Sequence, residues 1–453
     1  MLQAPDVRER DSIFIELTKS ICPECRKVLD AQVHVRNGRV YMKKRCPEHG
    51  WFEGIVSSDA EMYMGASRFN RPGRIPFQFA TEIRDGCPLD CGLCPDHQQH
   101  TCVGIIEVTQ NCNLHCPTCF TDSPSGPSLS LKQVEDILDN FVKSEGDPEV
   151  VQFSGGEPSI HPEILDMLSA AKEKGIKHVM LNSNGVRIAR DRRFVEELAR
   201  IGVVIYLQFD GFAESTFRTI RGLDLTKVKR DAVENLAEFN VDTVLVSTVQ
   251  RGVNEQEMGA IVDYAMQTPI VRGVVFQPTF YTGRHPNFDP MNRVTLPDVV
   301  KGIAAQSKFG FRESDFVPIP CCYPTCSSAT YVYVDENGVL PLPRAVNVEE
   351  YLDYFKNRTI VDIDSVVQEA FDSLYSAASV PGSEKMMESY CTVCGIPFDL
   401  GDLKNKVKMI MIQPFPDPYT FNVKQVMKCC IHELLPDKRI IPFCAYNNLY
   451  RET

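Results

Sequence analysis

The residues of this sequence best suited to chemistry are its cysteines, which number 18 and fall into short groups. The most compact group, NCNLHCPTCF, spaces Cys112, Cys116 and Cys119 as Cys-x3-Cys-x2-Cys. Three such thiolates can hold three irons of a cubane iron–sulfur cluster and leave the fourth iron open to another ligand. We therefore expect a cluster with an open coordination position here. The alternatives are a structural zinc and an ordinary four-cysteine cluster.

A second group, near the start of the chain, has the spacing of two metal knuckles. CPEC contributes Cys22 and Cys25, and CPEH contributes Cys46 and His49. This pattern suits mononuclear zinc, or iron held in the rubredoxin manner. The sequence leaves the fourth ligand open between His49 and a distant residue.

Two further groups of cysteines suit auxiliary [4Fe–4S] clusters. The first occupies one loop, GCPLDCGLCPDHQQHTC, just before the triplet, and its members are Cys87, Cys91, Cys94 and Cys102. The second lies in the last third of the chain, and its members are Cys321, Cys322, Cys326, Cys391, Cys394, Cys429, Cys430 and Cys444. We predict one or two auxiliary clusters from these groups, although any single member is equally well an inert buried thiol.

Small and polar residues follow the predicted strands downstream of the triplet, in FSGGEP, LNSNG, LQFDG, FRTIRG and VSTVQ. The members of this set are Gly155, Gly156, Glu157, Pro158, Asn182, Ser183, Asn184, Gln208, Asp210, Arg221 and Thr248. Alone, each is more often an ordinary turn residue. Because ligands gather at the C-terminal ends of parallel strands, we expect the set to lie together near the triplet.

The elements that must position these residues alternate between strand and helix from Val103 to about residue 310. Apolar runs such as VGIIEV are separated by helical patterns such as LKQVEDILDNFVKS, which begins after the capping residue Ser130. Six such units predict an α/β fold with a parallel sheet curved into a partial (β/α)6 barrel. We divide the chain into a small metal-binding module (1–80), an auxiliary-cluster loop (81–103), the core (104–310) and a cysteine-rich C-terminal extension (311–453).

The bulk composition excludes several classes of protein. A net charge of −12 argues against broad nucleic-acid binding, and clustered cysteines without a signal peptide indicate a cytoplasmic protein. No apolar run is long enough to cross a bilayer. The stretch LKNKVKMIMIQPFPDPYTFNVKQVMK alternates lysines with apolar residues, so peripheral contact with a membrane surface is one interpretation. A strand and a helix packed on the core is the simpler one.

The Cys-x3-Cys-x2-Cys triplet after a first strand, with FSGGEP after the second, resembles the radical S-adenosylmethionine (SAM) superfamily. The resemblance implies that a [4Fe–4S] cluster on the triplet cleaves bound SAM to give a 5′-deoxyadenosyl radical. It further implies that the Gly-Gly-Glu-Pro element meets the methionyl amine and that the later polar residues, with Arg221, meet the carboxylate, ribose or sulfonium. The sequence departs from the family at Thr118, where an aromatic residue often stands; Phe120 is the nearest one.

Across almost the whole chain, the accessory motifs CPEHGWFE, PIPCCYPTC and RIIPFCAYNNLYR resemble the archaeal tetraether lipid synthase group. This resemblance implies that the enzyme couples the chain termini of isoprenoid ether lipids. We expect a ferredoxin or flavodoxin as its electron donor. Two alternatives are a radical SAM peptide maturase and a radical SAM enzyme that methylates a pterin-like substrate. A non-catalytic iron–sulfur electron-transfer protein is a more distant alternative.

Overall fold

The computed structural model describes residues 12–123, 125–286, 288–336, 338–344, 348–351 and 406–451. Cys391 and Cys394, which we predicted as metal ligands, lie outside these ranges.

The N-terminal module is a four-stranded antiparallel sheet in which each strand pairs with the next along the chain. Its strands are β1 (Ile13–Ile21), β2 (Val28–Arg36), β3 (Arg39–Cys46) and β4 (Gly50–Ser57). Asn37 and Gly38 join β2 to β3 with φ values of 50° and 71°, as a tight hairpin of this hand requires. The two other connections carry the predicted metal knuckles.

The core consists of six neighbouring parallel strands with helices between them, as predicted. The strands are β5 (Val103–Thr109), β6 (Val150–Gly155), β7 (His178–Ser183), β8 (Val204–Gln208), β9 (Thr243–Val249) and β10 (Val271–Pro278). The helices before and among them are α1 (Ala60–Gly65), α2 (Leu131–Glu145), α3 (Ile164–Glu173), α4 (Val186–Arg190), α5 (Arg192–Ile201), α6 (Glu214–Arg221), α7 (Thr226–Glu238) and α8 (Met258–Gln267), and α9 (Leu296–Gln306) follows β10. Ser130 caps α2 through a reciprocal capping box with Gln133.

The two faces of the core sheet bury different sets of side chains. Along β6, Val151 and Phe153 join the large cluster that packs against the helices. Val150 points to the opposite face, where it meets Met180 and Val244 from other strands. This alternation follows from the pleat of a strand, and it gives the sheet an apolar inner face as well as an apolar outer one.

The C-terminal segment extends the core sheet at both of its edges. Its strands are β11 (Val317–Pro318), β12 (Ser328–Asp335), β13 (Gly338–Pro341), β14 (Val407–Ile412), β15 (Ile431–Leu434) and β16 (Ile440–Pro442). β14 runs parallel to β10, and β15 runs parallel to β5. Much of the segment that we predicted as an extension is therefore continuous with the core sheet, because short apolar runs far apart in sequence complete its edges.

Two lysines of the stretch that suggested a membrane surface are buried. Lys408 lies on β14, is 4% exposed, and donates to the carbonyls of Ala265 and Thr268 at 2.7 Å each. Lys428 donates to Asn70 and to the carbonyl of Arg71. The simpler interpretation, packing on the core, is correct for these residues. Within the described ranges, no helix combines the length and the apolar character that crossing a bilayer demands.

Candidate active site and metal centres

The cysteine triplet lies in the loop that follows β5, and a second loop after β10 holds it in place. Cys119 and Arg284 exchange backbone hydrogen bonds of 2.8 Å in both directions, and the Arg284 guanidinium donates to the carbonyl of Cys116 at 3.2 Å. Gly283 has a φ of 62°, and a Cβ there would lie 2.3 Å from the Cys119 carbonyl oxygen. Only glycine permits this approach. No sequence motif marks Gly283 or Arg284 as part of the site.

Gly155 and Gly156, at the end of β6, pack against the backbone that leads into the triplet. The Gly156 amide donates to the Thr109 carbonyl at 2.7 Å, and the Glu157 amide donates to the Asn111 carbonyl at 2.9 Å. A Cβ on Gly156 would lie 2.3 Å from the Asn111 carbonyl oxygen. The glycines therefore let two loops touch, which is a reason for their presence beyond the predicted approach to SAM.

Glu157 is 1% exposed and accepts its hydrogen bonds from the protein itself. Its carboxylate accepts from the Ser183 hydroxyl at 2.9 Å, from the Asn184 amide at 2.7 Å and from the Ser159 amide at 3.2 Å. Burial raises the pKa of Glu157, although these donors lower it in part. The carboxylate thus ties the end of β6 to the end of β7, and its predicted role toward a ligand amine stays a prediction.

Two asparagines at the end of β7 contribute to the same junction. Asn182 donates to the Ser154 hydroxyl at 3.0 Å, and Asn184 donates to the side-chain oxygen of Asn113 in the cysteine loop at 2.7 Å. Both line the cavity described below, and so does Pro158.

Asp210 and Arg221 form a buried ion pair at the ends of β8 and α6. The guanidinium donates to both carboxylate oxygens, at 2.7 and 2.8 Å, and to the Thr248 hydroxyl at 3.0 Å. Burial by itself lowers the pKa of Arg221, but the charge of Asp210 outweighs it and the pKa is raised. Gln208 also donates to Asp210. Arg221, predicted as a partner for a ligand carboxylate, therefore has a partner within the protein.

These loops and strand ends enclose a cavity of about 320 Å³. Cys112, Cys116 and Cys119 line it beside Glu157 and Arg221. Much of the remaining wall is apolar and comes from the inner face of the sheet, including Val103, Ile105, Met180, Val244, Val275, Met409, Met411 and Ile431. The structure thus brings together most of the predicted residues, and Asp210 lies directly behind Arg221.

The donor set of the triplet fits an iron–sulfur cluster with one open position. In the part of the chain that the structure describes, the cavity wall holds no fourth cysteine. Burial raises the pKa of Cys112 to about 11 and also raises the pKa of Cys116. Because burial disfavours the bare thiolates, we expect the thiols to lose their protons as they bind iron.

Four ligand atoms in the N-terminal module lie close enough together to hold one metal ion. The side chains of Cys22, Cys25, Cys46 and His49 place these atoms within 4.8 Å of one another. His49 Nδ1 is 3.6 Å from Cys22 Sγ and 3.5 Å from Cys46 Sγ. Bonds of about 2.0–2.3 Å to a tetrahedral zinc separate its ligands by about 3.3–3.8 Å. The ligand that the sequence left open is therefore His49.

The auxiliary-cluster loop provides three neighbouring thiols rather than four. The Cys87 thiol contacts Cys91 and raises the pKa of Cys91. Burial and the negative charge on Cys87 also raise the pKa of Cys94. The tail of the chain holds this loop, because the Tyr450 hydroxyl accepts from the Cys91 amide at 3.2 Å and donates to the Pro88 carbonyl at 2.8 Å.

Cys102, predicted as the fourth ligand of that loop, lies in a different group. Its thiol neighbours are Cys321 and Cys430, and Cys430 Sγ is 3.0 Å from Cys322 Sγ. The prediction was wrong at Cys102 because the residue stands directly before β5, and the pairing of β5 with β15 brings the chain at Cys430 beside it.

Among the described residues, Cys326, Cys429 and Cys444 form a third cluster of thiols. Cys429 contacts Cys444, and Cys326 interacts electrostatically with each of them. Gln413 Nε2 approaches Cys326 Sγ at 3.7 Å. The adjacent residues Cys429 and Cys430 thus belong to two different groups, which sequence spacing does not reveal.

Comparison with known proteins identifies two families along the chain. The model of the radical SAM superfamily matches residues 106–265, and that of the HMPTM N-terminal zinc ribbon domain matches residues 14–58. The 7,8-dihydro-6-hydroxymethylpterin dimethyltransferase of Methanocaldococcus jannaschii is 34% identical over 96% of this chain and 94% of its own length.

Two further matches are partial. The Fe-coproporphyrin III synthase of Methanosarcina barkeri is 28% identical over 44% of this chain and 50% of its own length. Among solved structures, Streptococcus suis SuiB bound to its precursor peptide SuiA aligns with 18% identity over 43% of this chain and 44% of that one, at a TM-score of 0.36.

The similarity to the M. jannaschii protein extends over nearly the full length of both chains. The radical SAM match accounts for the core, a [4Fe–4S] cluster and SAM as cofactors, and the zinc ribbon match accounts for the N-terminal metal site. The chain belongs to the radical SAM superfamily, in the family of the M. jannaschii 7,8-dihydro-6-hydroxymethylpterin dimethyltransferase.

Proposed function

We propose that this chain is a radical SAM enzyme that methylates a pterin-type substrate. One observation carries the proposal: the 34% identity to a pterin dimethyltransferase extends over 96% of the chain, including the zinc ribbon. Similarity over that length favours a shared substrate class, whereas the superfamily core alone favours only shared SAM chemistry.

The residues of this chain then have distinct tasks. Cys112, Cys116 and Cys119 would hold the cluster, which with SAM supplies a carbon radical able to abstract hydrogen from an unactivated C–H bond. Arg221, held by Asp210, and Thr248 would form the polar wall against SAM. The apolar inner face would exclude water from the radical, and Gln152 and Gln277, which also line the cavity, would offer amide groups to a pterin ring.

A second candidate is the coupling of isoprenoid lipid chains, which the tetraether resemblance implies. The relatives do not support it, but the apolar cavity wall formed by residues such as Val244, Val275, Met409 and Met411 suits a hydrocarbon better than a polar ring. This observation keeps the lipid as the substrate to test beside the pterin.

The experiment is a direct comparison of the two substrates. The full chain, reconstituted anaerobically, receives SAM, a reductant or a ferredoxin or flavodoxin, and either 7,8-dihydro-6-hydroxymethylpterin or an archaeal diether phospholipid. We expect 5′-deoxyadenosine together with a pterin heavier by one or two methylene masses. A lipid product lacking two hydrogens per new bond, with the pterin unchanged, would overturn the proposal in favour of the second candidate.

A further inference from the structure

One lysine lies where the apolar stripe of a helix should continue. Leu225, which caps α7, and Ala232, Val233 and Leu236 within it face the core, and Lys229 occupies the same face at 1% exposure. The neighbouring Lys227 lies on the solvent side and pairs with Asp231. The buried position of Lys229 is therefore specific to that residue rather than typical of the helix.

The ammonium group of Lys229 reaches two strand ends of the SAM site. Its Nζ donates to the backbone carbonyl of Asn184 at 2.6 Å and to the side-chain oxygen of Gln208 at 2.8 Å. Asn184 follows β7 and Gln208 ends β8, so one side chain on α7 joins two neighbouring parts of the cavity wall.

The contact with Gln208 fixes which way its amide points. Because Oε1 accepts from Lys229, Nε2 is left to donate, and it donates to Asp210. Asp210 in turn holds Arg221 and accepts from the Thr248 amide at 3.0 Å. Lys229 is thus the outer end of a chain of hydrogen bonds whose inner end lines the cavity at Arg221 and Thr248.

Burial makes a lysine at this position unfavourable for stability alone. Burial lowers the pKa of Lys229 to about 7, against the opposing charge of Asp210. An apolar side chain of similar length would fill the same volume without that desolvation, so packing alone does not call for a lysine here. A role other than packing accounts better for the ammonium group.

We propose that Lys229 is a positioning residue for SAM: it holds the Asn184 turn and the Gln208 amide in the orientation that receives the cofactor. The inference rests on the radical SAM site and not on the identity of the substrate, so a wrong pterin assignment would leave it intact.

The test uses anaerobically reconstituted holoenzyme with Lys229→Met, Lys229→Arg and, as the matched control on the same helix, Lys227→Met. Equilibrium dialysis measures the Kd for SAM, and electron paramagnetic resonance follows the reduced cluster as SAM is added. 5′-Deoxyadenosine formation with dithionite, without any substrate, gives KM and kcat for SAM cleavage.

We expect Lys229→Met to keep its iron content while its Kd and KM for SAM rise by about tenfold to a hundredfold, the range for a lost charge-assisted hydrogen bond. The value of kcat at saturating SAM should fall less. Lys229→Arg should restore part of the affinity, and Lys227→Met should match the wild type. Wild-type affinity and an unchanged resonance signal in Lys229→Met would overturn the proposal.

If Lys229→Met does not fold, Gln208→Met removes the acceptor while Lys229 stays. We then expect a smaller rise in the Kd for SAM, because the hydrogen bond from Lys229 to the Asn184 carbonyl stays. A Gln208→Met enzyme that binds SAM as the wild type does would equally refute the role.

Discussion

At the scale of single residues, the buried charges of the site depend on each other. Asp210 has no exposed side-chain surface, and the Arg221 side chain is 12% exposed. Replacing one member of such a pair leaves the other charge buried without its partner, which costs about 3–5 kcal/mol.

The change Asp210→Asn should therefore lower the free energy of unfolding by about that amount and weaken SAM binding. Chemical denaturation followed by circular dichroism measures the first effect, and equilibrium dialysis measures the second. Asp231→Asn, an isosteric change at a more exposed carboxylate on α7, serves as control. A loss for Asp210→Asn no larger than that of the control would show that the pair does not hold the site together.

A second prediction at this scale concerns Gly156. The change Gly156→Ala puts a methyl group 2.3 Å from the Asn111 carbonyl oxygen, so the loop that carries Cys112 must move. We expect reduced iron incorporation at the triplet, measured as iron per chain and as visible absorption after reconstitution. Gly65→Ala, where a Cβ meets nothing within 4 Å, should keep the full iron content. Equal iron content in both variants would contradict the proposed need for close loop contact.

At the scale of elements, β14 carries a buried lysine, Lys408. Its ionisation should make the free energy of unfolding depend on pH. Burial, and to a lesser degree Arg272, lowers the pKa of Lys408 from 10.5 to about 8 on folding. Between these values the unfolded chain binds a proton that the folded chain releases. The contribution of Lys408 to the free energy of unfolding therefore rises with pH across this window and is flat below it.

The change Lys408→Met removes that dependence. We expect the free energy of unfolding of the wild type, minus that of the variant, to rise by up to about 3 kcal/mol between roughly pH 8 and pH 10.5. Parallel denaturation series across this pH range measure it. The same difference for Lys227→Met should stay nearly flat, and a flat difference for Lys408→Met would mean that its side chain stays charged throughout.

The same scale shows what the sequence determines and what it leaves out. Periodicity and capping predicted the parallel units, as in α2 after Ser130, because those signals are local. The pairing of β15 with β5 and of β14 with β10 involves strands far apart in sequence, which no local pattern specifies. The regrouping of Cys102 with Cys430 follows from that pairing.

Individual site residues divide in the same way. Gly156 and Glu157 stand in a motif and were found. Lys229 can be detected in the sequence, because it is a charged residue four positions after Leu225 and four before Val233 in an apolar stripe. The motifs did not point to it. Arg284 has no such signal in the sequence, because its function depends on a loop contact with Cys119 that exists only in the folded chain.

At the scale of the whole molecule, three of the cysteine groups lie beside one apolar region. Cys91 and Cys444 belong to a buried cluster that also contains Phe443. Phe443 packs against Phe120 with ring centroids 5.7 Å apart, and Phe120 is adjacent to Cys119. Groups that are distant in sequence thus approach the active cavity through a common hydrophobic core.

The N-terminal module joins this assembly through polar contacts beside its metal site. Lys44 on β3 is 1% exposed and donates to the Ser20 hydroxyl at 2.7 Å and to the carbonyl of Tyr419 in the C-terminal segment at 3.1 Å. Because Lys44 lies close to the ligand Cys46, loss of the metal should disturb the docking of the module as well as its own fold.

The change Cys46→Ser tests this dependence. Hydrogen bonds from neighbouring backbone amides and His49 outweigh burial and lower the pKa of Cys46 to about 6, which favours a thiolate ligand near neutral pH. We expect the variant to lose about one zinc per chain and to keep the iron of the other cysteine groups, as measured by metal analysis. Proteolysis should then cut residues 13–57 first, since structural zinc sites contribute directly to folding. Glu48 is exposed and lies between the ligands Cys46 and His49. The Glu48→Gln variant should therefore retain the metal and resist cleavage. Unchanged zinc content and protease resistance in Cys46→Ser would mean that the sheet and its docking contacts hold the module without a metal.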